Sequence, residues 1–239
     1  AGVKKLLKGR RKLPMDEANR LKRAEEMGFD MDLELAHGTR ADIEGVADWT
    51  TLNPSEHGAL GRGVYLSKPI PAASYATGRN AWMRPGDSPR LYPARVRSKK
   101  LLQGPHTDNM TGEIFEGDPA YAGIAKEARR RVAEGLYDDF VSPPTGRSLG
   151  AVQQYSRTGG GKVSQAIADV AAEAGYEGIY YGSLEGYAPT INIFDPKNIR
   201  SPWAGFDPTK AGSRNLLAGI GGLAGARYMS NALREDQRN

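Results

Sequence analysis

His37, Tyr65 and Tyr75 are the side chains whose types and spacing could build a chemical site. They lie on three short runs: His37-Gly38-Thr39, then Gly61-Arg62-Gly63-Val64-Tyr65-Leu66-Ser67, then Ala73-Ser74-Tyr75-Ala76. An imidazole can donate, accept or carry a proton near neutral pH. Phenols can stack on a flat ligand or fill a core. Taken singly, a strand-end His reads as structural, and each Tyr reads as a core or rim aromatic. Their order and closeness to expected strand ends point to a pocket.

Other chemistries lack their residues. The chain holds no cysteine, which removes thiol nucleophiles, disulfides and zinc–thiolate sites together. There is no Gly-x-Ser-x-Gly elbow, no P-loop and no strand-borne G-x-G-x-x-G. His37, His57 and His106 show no metal-ligand spacing, so no metal site is expected.

Charge points to another class of partner. The net charge is +5 and the pI about 9.3. Lys4, Lys5, Lys8, Arg10, Arg11 and Lys12 crowd the beginning, and Arg129-Arg130-Arg131 form a second run. Such a balance favours nucleic acid, anionic lipid or a phosphate-bearing ligand. The plainer reading is a solvated tail and a solvated helix face. No nucleic-acid reading motif accompanies the charge. No apolar run follows the basic start, so no signal peptide is expected. The longest apolar stretch, 216–226, is shorter than the ~20 residues a membrane helix needs. No transmembrane segment is therefore expected. Its Gly221 and Gly225 have a spacing that lets helices dock closely.

The elements that must position these residues follow from periodicity. Residues 1–13 read as a basic arm, 14–210 as the folded domain, and 211–239 as a Gly/Ala-rich apolar tail with a charged terminus. Pro14, Asp16 and Glu17 open a helix with Leu21 and Ala24 in its stripe, ended by Gly28. Residues 33–37 alternate as a strand, 63–67 as a second and 90–96 as a third, where Pro93 implies an edge or a bulge. Residues 41–49 and 71–76 read as short helices or turns. Helices are expected at 120–135 and at 163–174, separated by a Gly/Ser/Pro-rich connector at 141–161. Residues 178–181 and 190–194 close the set as two strands. Irregular interleaving of this kind indicates α+β.

In this order the motifs resemble the ADP-ribosyltransferase superfamily of the His-Tyr-Glu type, which includes poly-ADP-ribose polymerases and diphtheria-like toxins. The family pattern is H-G-[ST], then G-x-G-[IV]-Y-[FL]-[ST], then A-x-Y-[AC]. The stretch 25–32 ahead of His37, Gly175-Tyr176-Glu177-Gly178-Ile179-Tyr180 and 193–201 are similar to ADP-ribosyltransferase-like proteins of phages and prophages. The resemblance spans about residues 15–210.

The resemblance implies split antiparallel sheets around an NAD cleft, with flanking helices. It implies NAD as substrate and mono-ADP-ribosyl transfer, a glycosyltransferase reaction, to a host protein acceptor. His37 would bond the adenosine ribose, and Gly38 would pair its backbone with the nicotinamide carboxamide, since no Cβ blocks approach. Tyr65 and Tyr75 would sandwich the cationic ring. Thr39 and Ser67 complete the implied cofactor-binding set. The family's catalytic glutamate maps onto Thr190, which carries no charge for an oxocarbenium-like sugar. Glu185 on the preceding turn is the candidate substitute. Glu177 is nearer in appearance to a structural residue. Ala72 stands where polymerase relatives place a carboxamide-binding serine. Two other readings stay open. One is a degenerate fold serving as a virion structural or ejected protein, with its arm on DNA, membrane or virion proteins. The other is NAD hydrolysis without transfer. The implied location is the virion or the host cytoplasm.

Overall fold

The computed structural model describes residues 13–39, 52, 61–70, 72–73, 90–107, 114–115, 117–137, 161–181 and 190–219. Tyr75, Glu185, the basic run 4–12, the expected helix at 41–49 and residues 220–239 lie outside the described residues. Strands β1 (Leu35–Thr39), β2 (Val64–Ser67), β3 (Arg90–Val96), β4 (Leu101–Gln103), β7 (Gly178–Tyr181), β8 (Thr190–Ile193) and β9 (Ile199–Arg200) form one sheet. Its seven strands run in the order β4-β7-β8-β2-β1-β3-β9. Every neighbouring pair is antiparallel except β4 with β7. Strands β5 (His106–Thr107) and β6 (Ile114–Phe115) make a separate two-stranded ribbon. Helices α1 (Glu17–Glu26), α2 (Pro119–Ala133) and α3 (Gly161–Glu173) complete the set. The architecture is α+β, as the interleaving predicts.

Alternation along the strands gives the sheet two buried faces. On one face Leu35, Val64, Leu66, Ala94, Val96, Ile191, Ile193 and Ile199 form a continuous core with Leu52 and Leu216. Val64 and Leu66 are each 1% exposed, and such burial contributes roughly 1.5–3 kcal/mol per side chain. The opposite face presents Leu102, Ile179 and Tyr181 to α2 and α3. Asp118 caps α2 by accepting from the Ala120 amide, and Pro119 fits its first turn. From α2, Tyr121, Ile124 and Ala128 are buried here, and from α3, Val163, Ile167 and Val170.

Pro93 lies in a strand that sheet order makes internal. β9 pairs only with Arg95 and Val96, so among the described residues no strand covers the outer side of β3 at Pro93. The missing N–H is tolerated because β3 is locally an edge. Strand β1 runs two residues further than periodicity suggests. His37 is therefore mid-strand, with Thr39 at the end.

A third small core joins α1 to the chain after β9. Asp16 caps α1 by accepting from the Asn19 amide, and Gly28 ends it in the left-handed region at φ 79°. Ala24 and Phe29 pack on Ala204 and Phe206. Arg20 donates to the Pro202 carbonyl at 2.8 Å, and Arg23 to the Gly205 and Pro14 carbonyls at 3.0 and 2.8 Å. Arg200 is 1% exposed and donates to the carbonyls of Lys197, Ile199, Lys210 and Ala211. Burial, with the Arg97 charge beside it, pushes the Arg200 guanidinium down to about 10, so it is still charged at neutral pH. Leu216, Leu217 and Ala218 are buried, and the Ser201 and Gly205 amides bond the Leu216 and Ala218 carbonyls. The packed body thus continues past the boundary drawn at residue 210 from composition.

Two arginines of the basic run on α2 are paired with acids. Arg130 bridges Glu127 at 2.7 Å and also Glu134. Arg131 bridges Glu127 at 2.9 Å and Glu173 of α3 at 2.7 Å.

Candidate functional site

Register brings four of the residues singled out by motif onto one face. Residues directly opposite in an antiparallel pair share a face. Ala36 is opposite both Pro93 and Ser67, Ser67 is opposite Thr190, and Thr190 is opposite Tyr181. One row across five strands therefore reads Pro93, Ala36, Ser67, Thr190, Tyr181. Two residues along each strand, the next row carries Leu91, Gly38, Tyr65, Asn192, Ile179 and Leu102. Gly38, Tyr65, Ser67 and Thr190, four residues singled out by motif, fall in these adjacent rows on the helix-bearing face.

The two strands that carry the first motifs meet sparingly. β1 pairs with β3 over five positions and β2 with β8 over four, but β1 and β2 share only Ala36 opposite Ser67. Past that point the ladder gives way where Gly38 and Tyr65 would be paired.

His37 bridges this gap. Its Nδ1 lies 2.9 Å from the Tyr65 carbonyl oxygen. A carbonyl can only accept, so Nδ1 carries the proton. Burial pushes the imidazole below its ordinary value, and the bond to the Tyr65 carbonyl only partly opposes this. The ring is neutral at pH 7, and its Nε2 is an acceptor. By alternation the His37 and Thr39 side chains start on the face opposite Gly38. Thr39 sits opposite Arg90 at the end of the ladder.

Gly38 is glycine because the chain closes over it. The Ala72 amide bonds the Lys68 carbonyl in the turn after β2. A Cβ on Gly38 would overlap the Ala72 carbonyl oxygen. Ala72, the position compared with a carboxamide-binding serine, therefore lies directly against Gly38.

Tyr65 is half-buried against the helix-side core, and its hydroxyl donates to the Gly61 carbonyl. Gly63, at φ 151°, has Asn192 packed where its side chain would be. Asn192 is fully buried and donates through Nδ2 to the Arg62 carbonyl at 3.2 Å. No sequence motif marks Asn192. The readable signal is a lone amide among the isoleucines of β8, in phase with Thr190. Tyr181 is a second such residue. It is 4% exposed, and burial pushes its phenol well above the ordinary value, with the Tyr121 hydroxyl bonded to it.

Glu177 is structural: its carboxylate accepts from the Lys99 amide at 2.7 Å. The two face rows contain hydroxyls, an amide and apolar groups, and no carboxylate among the described residues. No cluster of His, Asp or Glu suited to a metal occurs among the described residues. Among the described residues, no helix is long and apolar enough to cross a membrane. No family model matches the chain, and neither curated proteins nor solved structures give a match.

Proposed function

We propose that the chain is an NAD-binding protein of the ADP-ribosyltransferase type, with its cleft at the sparse β1–β2 junction. One observation carries this reading. Gly38, Tyr65, Ser67 and Thr190, drawn from motifs far apart in sequence, share two neighbouring rows beside a neutral His37. The resemblance implies split sheets, whereas the described strands form one seven-stranded sheet; the single registered pair between β1 and β2 is the place in it that favours a cleft. In the cleft, Nε2 of His37 accepts from a ribose hydroxyl, and Tyr65, with Tyr75, stacks on the nicotinamide. In transfer, the bond between nicotinamide nitrogen and ribose C1′ breaks, and nicotinamide leaves with the bonding pair. An acceptor side chain on a host protein then bonds C1′ and releases its proton.

Isothermal calorimetry with NAD tests the pocket. Micromolar to sub-millimolar binding that Tyr65→Ala abolishes supports it, and no heat with NAD sinks it. Incubation of host lysate with biotinylated NAD tests transfer separately. A second reading is favoured by the two rows themselves. With Thr190 where an acid would sit, the described groups place no negative charge beside an oxocarbenium-like sugar. The chain then binds NAD without cleaving it, or serves as a virion or ejected protein on the same fold. Thr190→Glu discriminates: it supplies the missing charge and should raise nicotinamide release if Glu185 does not already act. No labelled protein and no nicotinamide from either form would leave only the binding reading.

A further inference from the structure

Arg97 ties two basic stretches of the chain into one surface. It lies in the run Arg95-Val96-Arg97-Ser98-Lys99-Lys100 between β3 and β4. Its Nη2 donates to Asn198 Oδ1 at 3.3 Å and to the Ala211 carbonyl at 3.2 Å, and its amide to the Asn198 carbonyl at 2.8 Å. The Glu177 amide bonds the Lys100 carbonyl at 2.9 Å, and the Phe194 amide the Glu177 carbonyl at 3.1 Å. Lys99 and Lys100 are thereby joined to the segment that carries Lys197, Lys210 and Arg214. All five are exposed, and Arg97 is half-buried.

Acids only partly offset this charge. Asp195 bridges Lys197 at 2.9 Å and Arg214 at 3.8 Å. The Glu177 carboxylate accepts from the Lys99 amide, and Asp207 from the Thr209 amide and hydroxyl. Beyond Gly28, exposed Glu25, Glu26 and Asp30 bound the surface on the α1 side of Arg97. Arg97, Lys99, Lys100 and Lys210 have no carboxylate partner among the described residues. Beneath them Arg200, 1% exposed, bonds the Lys197, Lys210 and Ala211 carbonyls and stays charged at neutral pH. A buried charge is screened less by salt than an exposed one. Six of the 33 basic residues and none of the 28 acidic ones precede residue 13. The rest of the chain is nearly neutral, so this local excess is a matter of placement.

The residue types narrow the partner. Protein interfaces are depleted in lysine. Binding at a lipid surface draws on apolar side chains beside the cations, and the exposed large apolar residues Met15, Ile70, Leu91 and Leu136 lie outside these stretches. Single strands are held by stacking on aromatics. Tyr176, the ring beside the lysines, is half-buried with the Lys100 ammonium 4.2 Å over it. Phosphate oxygens along a duplex need only donors and positive charge. We propose that this face, from Lys99 and Lys100 across Arg97 to Lys210, binds the phosphate backbone of duplex nucleic acid without reading its sequence. The proposal is independent of the NAD reading.

Fluorescence anisotropy of a labelled DNA duplex of arbitrary sequence, titrated over a range of potassium chloride with the full chain, tests it. Lys99 and Lys210 are exposed, so Lys99→Gln with Lys210→Gln should melt with the parent. The pair should lower the slope of log affinity against log salt by about two, since each phosphate contact contributes roughly 0.9. Lys126→Gln with Arg129→Gln removes the same charge from the exposed side of α2 and should leave the slope as it is. The basic residues 4–12 are common to all three proteins and drop out of the comparison. Equal losses of slope in the two variants would overturn the proposal in favour of net charge alone. An unchanged slope after Lys99→Gln with Lys210→Gln, or a parent that leaves the duplex free, would overturn it outright. A parent that leaves the duplex free yet sediments with phosphatidylserine vesicles would make the face a lipid site instead.

Discussion

The β1–β2 junction and the core around Phe29 use polar side chains in opposite ways. Around Phe29, Arg20, Arg23 and Arg200 turn inward and direct donors at main-chain carbonyls of the segment after β9. Their charge is locked into holding two ends of the described chain together. At the junction, His37 commits one nitrogen to the Tyr65 carbonyl and keeps the other as an acceptor. The first region closes on itself; the second stops one ladder bond after it starts. Polar groups that complete the backbone mark the frame. Polar groups on a ladder that gives way are where the proposed cleft is placed.

Arg200→Ala should break the frame hardest. Four carbonyls lose a donor, though Lys210 and Ala211 keep the Ser213 amide and Arg97, and a fully buried volume empties, so a loss of about 3–5 kcal/mol is expected. Chemical denaturation with urea measures it; a loss under about 1 kcal/mol would mean that water replaces the guanidinium without cost. Gly38→Val comes next. Its side chain must displace the Ala72 carbonyl, at about 1–3 kcal/mol for a forced overpacking. NAD affinity should fall with it, whereas Arg200→Lys should lower the melting temperature and leave affinity in the surviving fold intact. Tyr65→Phe removes one bond to the Gly61 carbonyl and should cost about 1 kcal/mol. A Tyr65→Phe protein as stable as its parent would show that water serves the Gly61 carbonyl equally well.

The smallest effect is the pH response of His37. Its folded value lies below the ordinary 6.5. The unfolded chain therefore takes up a proton first as pH falls, and stability declines below 6.5 until the folded ring also protonates. Well above 6.5 both states are neutral and the contribution is flat. NAD affinity should follow the same direction, because a protonated Nε2 cannot accept from a ribose hydroxyl. Affinity that rises on acidification, or that His37→Gln leaves unaltered at every pH, would remove His37 from the site.

Much of the frame is legible from periodicity. The alternation of Val64, Leu66, Ile191 and Ile193, and the stripes of α2 and α3, state which side is buried. Gly28 and Asp16 state where α1 ends and begins. What periodicity does not state is pairing. Nothing local says that Ser67 faces Thr190, because their registry depends on a closure across more than a hundred residues. The arginines of the Phe29 core are equally hidden, since Arg20 and Arg23 read as solvated positions on a helix. Their partners are carbonyls, and carbonyls leave no mark in a sequence. Composition also stops the domain at 210, because Gly-rich apolar sequence looks like a tail until Leu216 is seen under the sheet. Asn192 escapes a motif search because an amide in a short strand has no chemistry until Gly63 is found beneath it.

The acids that flank the arginines of α2 bear on how the protein would meet a polyanion. Binding to nucleic acid gains from the release of condensed counterions, one for each phosphate neutralised. Arg130 and Arg131 already have Glu127, Glu134 and Glu173 as resident counterions. Hydrogen bonds from Arg130 and then Arg131 hold the Glu127 carboxyl at about 2, so it stays ionised well into the acid range. These two arginines would have to break a covalently tethered pairing to take a phosphate, and would release nothing into solution in doing so. The slope of a salt titration on heparin should therefore be nearly the same after Arg130→Gln and Arg131→Gln.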